Sequence, residues 1–283
     1  MPVNQERSRF VFRKLGRQLA KLAAKPAPES VHKFRTSSRR VEALLDELAA
    51  TDRNSTKLLK LLARLRKKAG RVRDLDVQIG SLRNLKVPEG AAHKSQLIRT
   101  LTEERLRREK KLAKAFSGAA IRELRKRLKR ASGEAKVLDD RASLSLALRL
   151  VAKLARDSGP LTEKMLHQYR IIGKRARYLA ELAGNDPEAE RLVGQLKRMQ
   201  DVIGDWHDWL KLANKAAKLF GAVRESPLVA ALHNVTRAKF RHAVDALSEA
   251  RAGLASKKPA AIDSAAGRRE SRQDPAKGIS AVA

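Results

Sequence analysis

VHKFRTSSRRVEALLDEL, residues 31–48, decides the fold of this chain, because its pattern recurs as LHQYRIIGKRARYLAELA at 166–183. At about 100° per residue on a helix, His32, Arg35 and Arg39 fall in one narrow stripe with Arg40 on its flank. Phe34, Val41, Leu44, Leu45 and Leu48 lie opposite, so one face is apolar and the other cationic. In the later copy His167, Arg170, Lys174 and Arg175 repeat that phase at a constant shift of 135 positions, opposite Tyr169, Ile172, Ala176, Leu179 and Ala180. A face that met only solvent would have no reason to reproduce His-x-x-basic-x-x-x-basic-basic twice.

Outward from these two helices, almost every segment repeats apolar residues at three and four, and the alternation that marks strands is missing. The chain reads as all-α. Phe10, Leu15, Leu19 and Leu22 mark a first helix stopped near Pro26 and Pro28. The His32 helix is expected to end around Thr51–Asn54, and Leu58, Leu62, Leu65, Ala69 and Val72 form the seam of a third, running to about Leu85. Val87-Pro88-Glu89-Gly90 is a break, followed by a long basic helix over 91–131 with a kink expected at Ser117-Gly118.

After Ser132-Gly133 the order of parts starts again. Leu144–Leu154 is helical, Ser158-Gly159-Pro160 is a turn, and the His167 helix is closed by Gly184. Asn185-Asp186-Pro187 places a capping residue before proline at a helix start. The helix it opens carries Leu192, Leu196, Met199, Ile203, Trp206 and Leu210 along one seam, and Ser226-Pro227 opens the last helix, to about Leu254. Gly70–Leu75 also aligns with Gly204–Trp209 at a shift of 134. The expected architecture is therefore two tandem four-helix bundles, about 5–132 and about 140–254, within one domain over 1–254. Related units commonly sit about a pseudo-two-fold axis, which would bring the two cationic stripes together along a basic central channel. Residues 255–283 have no apolar periodicity and are expected to form a disordered, mildly basic tail.

Sixty-three Lys and Arg against 31 Asp and Glu give a formal charge of +32, so the partner should be a polyanion. Nucleic acid, an anionic membrane and a phosphate polymer all qualify on charge alone. The chain has no cysteine, which excludes disulfides, thiolate metal sites and a cysteine nucleophile. Its N-terminus is too interrupted by charge for a secretion signal, and no apolar run reaches the roughly 20 residues that span a bilayer. A cytoplasmic protein with no membrane partner is the expectation.

Four motifs now stand in order: H-x-x-R-x-x-x-R-R at 32–40, R-D-L-D at 73–76, H-x-x-R-x-x-x-K-R-x-R-Y at 167–178, and L-x-x-M-Q-D-x-I-G-x-x-H-D at 196–208. Together they resemble the CHAD family, the conserved histidine α-helical domain, over roughly residues 5–254. The resemblance implies a double four-helix-bundle protein that binds inorganic polyphosphate in a basic central channel. It also implies association with polyphosphate granules and no demonstrated catalysis of its own, and no cofactor is expected. Carried over by position, the binding residues are His32, Arg35, Arg39, Arg40, His167, Arg170, Lys174, Arg175 and Arg177. Glu42 stands where the second copy has Arg177, so the channel is expected to be less cationic there.

The residues themselves leave alternatives. His32 and His167 can each face phosphate, sit buried as structural imidazoles, or bind metal; no His, Asp or Glu follows either at i+3 or i+4 to complete a helical metal site. Asp74 and Asp208 recur at equivalent sites and can be catalytic carboxylates, or can hold stripe arginines extended toward the channel. Arg64 and Arg198 correspond across the 134-residue shift and can extend the basic wall or be plain surface charge. Trp206 lies in an apolar seam and Trp209 at its edge, which leaves few aromatics to stack on bases. The expected ligand is thus inorganic polyphosphate, with a polyphosphate-handling enzyme as a possible partner. The rival readings are a nonspecific nucleic-acid binder and a metal-dependent phosphohydrolase.

Overall fold

The computed structural model describes residues 3–48, 53–134, 140–155, 159 and 161–255. Among them the regular structure is helical throughout: α1 (Val3–Ala24), α2 (Pro28–Leu48), α3 (Arg53–Asn84), α4 (Ala91–Ala115), α5 (Gly118–Glu134), α6 (Asp140–Ala155), α7 (Glu163–Ala180), α8 (Pro187–Phe220) and α9 (Pro227–Ala255). The expected tail lies outside the described residues apart from Ala255. So do the α2–α3 connection at 49–52 and, Gly159 excepted, the expected turn at 158–160.

Local chemistry sets the boundaries. The Asp186 carboxylate accepts from the Glu188 and Ala189 amides at 2.8 and 3.1 Å, and Pro187 supplies a preset φ at the first position of α8. Thr162 caps α7 by accepting from Met165 N. Beyond α7 the chain turns at Gly184, whose φ of 79° suits glycine. The kink expected near Ser117 is a full break into two helices. Ser117 Oγ accepts from Ala120 N to start α5, and the turn inserts Phe116 edge-on against Phe34 at 5.2 Å.

Three apolar clusters hold the helices together. In the first half, α1, α2, α3 and α5 close around Leu15, Leu19, Phe34, Leu44, Leu62 and Leu124. In the second, α6, α7, α8 and α9 close around Val151, Leu166, Leu179, Ile203, Trp206 and Leu247. A third cluster joins the halves through the far ends of α3 and α4 and the facing ends of α8 and α9, with Leu82, Leu97, Leu101, Leu212 and Leu232 at its centre. Trp206 is 2% exposed, and Trp209 packs at the margin of the third cluster. One expected core residue is misplaced. Phe10 is 45% exposed because the buried stripe of α1 runs through Val11, Leu15, Leu19 and Leu22, one residue out of phase, and Lys14 and Arg17 lie over its ring instead.

The joint is fitted closely. His93 on α4 hydrogen-bonds Ser226 Oγ at 2.8 Å and stacks on Phe220 at 4.4 Å. Gly90 lets the α3–α4 turn touch the backbone of α9, since a Cβ there would stand 3.0 Å from Leu228 N. A second contact between the halves is α2 against α7, where Arg40 meets Glu181.

Candidate functional site

The amphipathic phase of α2 and α7 fixes which way their cations point. With Phe34, Val41 and Leu44 buried on α2, and Tyr169, Ala176 and Leu179 on α7, the opposite faces are left to line a cleft. The cleft has a volume of about 440 Å³, and α3 and α8 complete its walls. His32, Arg35, Arg39 and Arg40 line it from α2, Arg170, Lys174 and Arg177 from α7, Arg73 and Asp74 from α3, and Lys197, Asp201, Asp205 and Asp208 from α8. Eight Lys and Arg side chains thus face four Asp.

The carboxylates are committed unevenly. Asp74 takes Lys211 at 3.0 Å and Arg35 at 3.6 Å, and Asp205 takes Lys239 at 2.8 Å. At the other side of the cleft Arg40 Nε donates to Glu181 at 2.6 Å, and Arg177 approaches the same carboxylate at 3.8 Å. Arg39, Arg170 and Lys174, between these pairs, form no ion pair with any described carboxylate within 4.0 Å. Buried donors in the cleft also lack a protein acceptor: Arg35 Nε, Arg170 Nε, Arg177 Nε and Gln200 Nε2. Native proteins leave few such atoms unsatisfied, and these belong to residues lining one space.

Electrostatics records the crowding. Burial, then the fields of Arg170, Arg39 and Arg35, brings the Lys174 ammonium down to about 6. Burial and Arg39 lower the Arg35 guanidinium to about 10, and burial lowers Arg170 against the opposing pull of Asp208. Burial followed by Arg73, Arg35 and Arg39 lowers His32, so without ligand its imidazole favours the neutral form. Arg40 is the exception: although burial works against its charge, Glu181 raises it. Asp208 is raised by burial despite Arg170 beside it.

Not every stripe residue reaches the cleft. His32 lines it, but His167 does not; its ring stands 5.6 Å from that of His207 on α8. The shared cavity expected between the two histidines therefore has one of them at its wall. Arg175 is also absent from the lining, although it occupies the position in its helix that Arg40 holds in α2. Arg64 is exposed on α3, and Arg198 is exposed beside a separate cavity between α8 and α9. Glu42 is absent from the lining; it accepts from Arg66 at 2.9 Å and reaches Arg39 only through its field. Asp74 pairs with Arg35 at 3.6 Å, whereas Asp208 acts on Arg170 and Lys174 through its field.

Arg73, Lys197, Gln200, Asp201, Gly204 and Asp205 are cleft residues that the sequence reading does not name as binding residues, although Arg73, Gln200, Asp201 and Gly204 are part of the quoted motifs. Their signal is the stripe 197, 200/201, 204/205, 208 opposite the apolar seam of α8. Mixed charge hides it, because no single sign repeats.

Two glycines shape the space. Gly70 lets the Arg35 guanidinium lie against α3, 3.6 Å from where a Cβ would stand. Gly204 has nothing within 4 Å of that point, so a side chain there would project into the open cleft. Gly204→Leu is therefore expected to stabilise α8 by up to about 1 kcal/mol, since glycine is a poor interior helix residue. It is expected to weaken anion binding at least about tenfold by occupying the volume. Thermal unfolding and titration calorimetry on one preparation check both signs.

The described helices thus form two halves that enclose a cation-lined cleft. The CHAD domain model matches residues 9–217, and the chain belongs to that family. Its fold is similar to the crystal structure of the CHAD domain from the plant Ricinus communis, at 18% identity and a TM-score of 0.69 over 91% of this chain and 93% of that one. It is also similar to PptA from Streptomyces chartreusis, at 19% identity and a TM-score of 0.65 over 91% of this chain and 100% of that one. At such identities the likeness is one of fold. No curated protein matches the chain.

Proposed function

We propose that this chain binds inorganic polyphosphate in the cleft between α2, α3, α7 and α8 and performs no chemistry on it. The observation that carries this reading is the run of Arg39, Arg170 and Lys174 without described ion-pair partners, beside the unsatisfied donors of Arg35, Arg170 and Arg177. Cations so placed repel one another and are desolvated together; an anion with many charges removes both costs at once. Arginine offers a planar fork matched to phosphate oxygens, and lysine a mobile point charge. In a cell the protein then associates with polyphosphate granules in the cytoplasm and places a polyphosphate-handling enzyme near its substrate. No helix among the described residues is long and apolar enough to cross a membrane.

The lining favours a ligand that is all backbone over nucleic acid. Among the lining residues Tyr178 is the one Phe, Tyr or Trp and is only 4% exposed, which leaves the His32 imidazole as the single exposed ring for a base to stack on, where single-strand binders use several. A space of about 440 Å³ is the size of a small-molecule site. The non-enzymatic reading draws support from the carboxylates: Asp74 is engaged by Lys211 and Arg35, and Asp208 is half-buried in the fields of Arg170, Lys211 and Lys174.

Competition titration tests the ligand class. Long-chain polyphosphate is expected to bind tightly and to lose about a thousandfold in affinity between about 50 and 200 mM salt, as multiple phosphate contacts dictate. Duplex DNA at equal phosphate concentration should fail to displace it; displacement at parity would return the nucleic-acid reading. A phosphate-release assay with magnesium or manganese should show no turnover, and release above background would make the protein a hydrolase.

A further inference from the structure

At the α2–α7 contact the cleft adjoins a second cavity. Arg40 and Tyr178 line the cleft on one side and on the other line this cavity of about 340 Å³, which Glu181, Leu182, Phe10 and Lys14 share. What separates the two spaces is an ion-pair clasp. Glu181 accepts from Arg40 Nε at 2.6 Å and faces Arg177 at 3.8 Å, while both guanidiniums lie against the Tyr178 ring, at 5.8 and 5.0 Å. The clasp is mostly shielded from solvent, with side-chain exposures of 26% for Arg40 and 21% for Glu181. Past it the chemistry is cationic again, since Lys14 and Arg17 lie over Phe10 at 5.6 Å each.

A short phosphate chain seated among Arg39, Arg170 and Lys174 does not meet this clasp. A longer one does: its next phosphates come up to Arg40, already hydrogen-bonded to Glu181, to Arg177, which stands 3.8 Å from the same carboxylate, and to the carboxylate itself. We infer that Glu181 is a resident anion that sets the length of phosphate chain the cleft accepts, and that a long chain displaces it from Arg40 and Arg177 and runs on into the α1 cavity beside Lys14. The inference rests on the polyphosphate reading and assigns its length dependence to one residue. A charge-assisted hydrogen bond given up by Glu181 is taken over by a phosphate oxygen, so the exchange is close to balanced and small changes tip it.

Titration calorimetry with tripolyphosphate and with long-chain polyphosphate, on the wild-type chain and on Glu181→Gln, tests this. Glu181→Gln is expected to raise long-chain affinity about tenfold and to change tripolyphosphate affinity by no more than about twofold. Adding Lys14→Glu is expected to cancel the gain. Alone, Lys14→Glu should weaken long-chain binding more than the matched reversal Arg13→Glu, which is exposed and lines neither cavity. Equal gains for both ligands, or no gain, overturn Glu181 as the length-setting group. A gain that survives Lys14→Glu overturns the passage toward α1. Should Glu181→Gln fold poorly, the Lys14→Glu and Arg13→Glu comparison still decides the passage. Wild-type protein that binds neither ligand fails the polyphosphate reading itself, a result distinct from intact binding without length discrimination.

Discussion

Reversing Arg35, Arg39, Arg170 and Lys174 to glutamate together abolishes polyphosphate binding, a loss of at least about a thousandfold or about 4 kcal/mol. These four occupy the centre of the cleft, and two come from each half, so no single helix can compensate. Reversing Lys57, Lys60, Arg125 and Lys129, which are exposed on α3 and α5, changes the formal charge by the same amount and leaves the cleft intact. That control is expected to cost about tenfold or less, through the long-range field alone. Calorimetry supplies both affinities, and far-ultraviolet circular dichroism confirms that the helices persist. A set of four glutamines in place of the cations covers the case in which four acids disturb folding. Unchanged affinity in either cleft variant would remove the site assignment.

Binding should also carry a proton with it. Lys174 is held down to about 6 by burial and by Arg170, Arg39 and Arg35, so near pH 8 its amine is largely neutral in the ligand-free protein. A phosphate chain supplies the missing anion and draws the value back toward the ordinary lysine range, which requires proton uptake. Calorimetry at pH 8 in buffers of differing ionisation enthalpy is expected to show net uptake approaching one proton, and affinity should fall as pH rises from about 7 to about 9. Lys174→Met removes the uptake.

The same shift has a consequence for stability, with a definite sign. Between about 6 and the ordinary lysine value the unfolded chain binds more protons than the folded one, so the stability of the ligand-free protein rises with pH across that window. Below about 6 the ammonium is charged in both states and the cost is present in full. Lys174→Met is therefore expected to raise the melting temperature of the ligand-free protein at pH 6 and to flatten its dependence on pH. Buried charges replaced by apolar groups of similar size often stabilise by about 1–4 kcal/mol. A melting temperature that falls on substitution would mean that Lys174 is held by an interaction other than the ones described.

Much of the molecule is legible before any coordinates. The two-copy motif, its apolar and cationic phases and the Asp186-Pro187 start are local patterns, as is the disturbance at Ser117-Gly118, read as a kink where the chain in fact breaks into two helices, and helices report such patterns directly because 3.6-residue periodicity links neighbours in sequence to neighbours in space. Trp206 belonged to the core on the same grounds. Phe10 misled because one residue of phase separates the buried stripe of α1 from its flank. Arg73 and most of the cleft face of α8 lie in or beside the quoted motifs, yet the sequence does not assign them to the basic stripe because their charges are mixed, and a mixed stripe looks like solvated surface.

The sequence by itself determined that this chain is helical, that it repeats, and that each repeat carries a cationic face; those properties follow from side-chain periodicity within single helices. Only the tertiary structure decided which cations share a space. Arg39 and Lys174 lie far apart in the chain and meet because α2 and α7 pack together, while His167, in phase with the same stripe, is carried to the side of His207. Crossing geometry selects a few positions from each face, and it depends on how Leu182, Leu82 and Leu212 fill the joints between the halves. The counterions across helices are tertiary for the same reason: the pairing of Glu181 with Arg40 and of Asp74 with Arg35 is set by distance in the fold, a quantity that spacing along one helix does not contain.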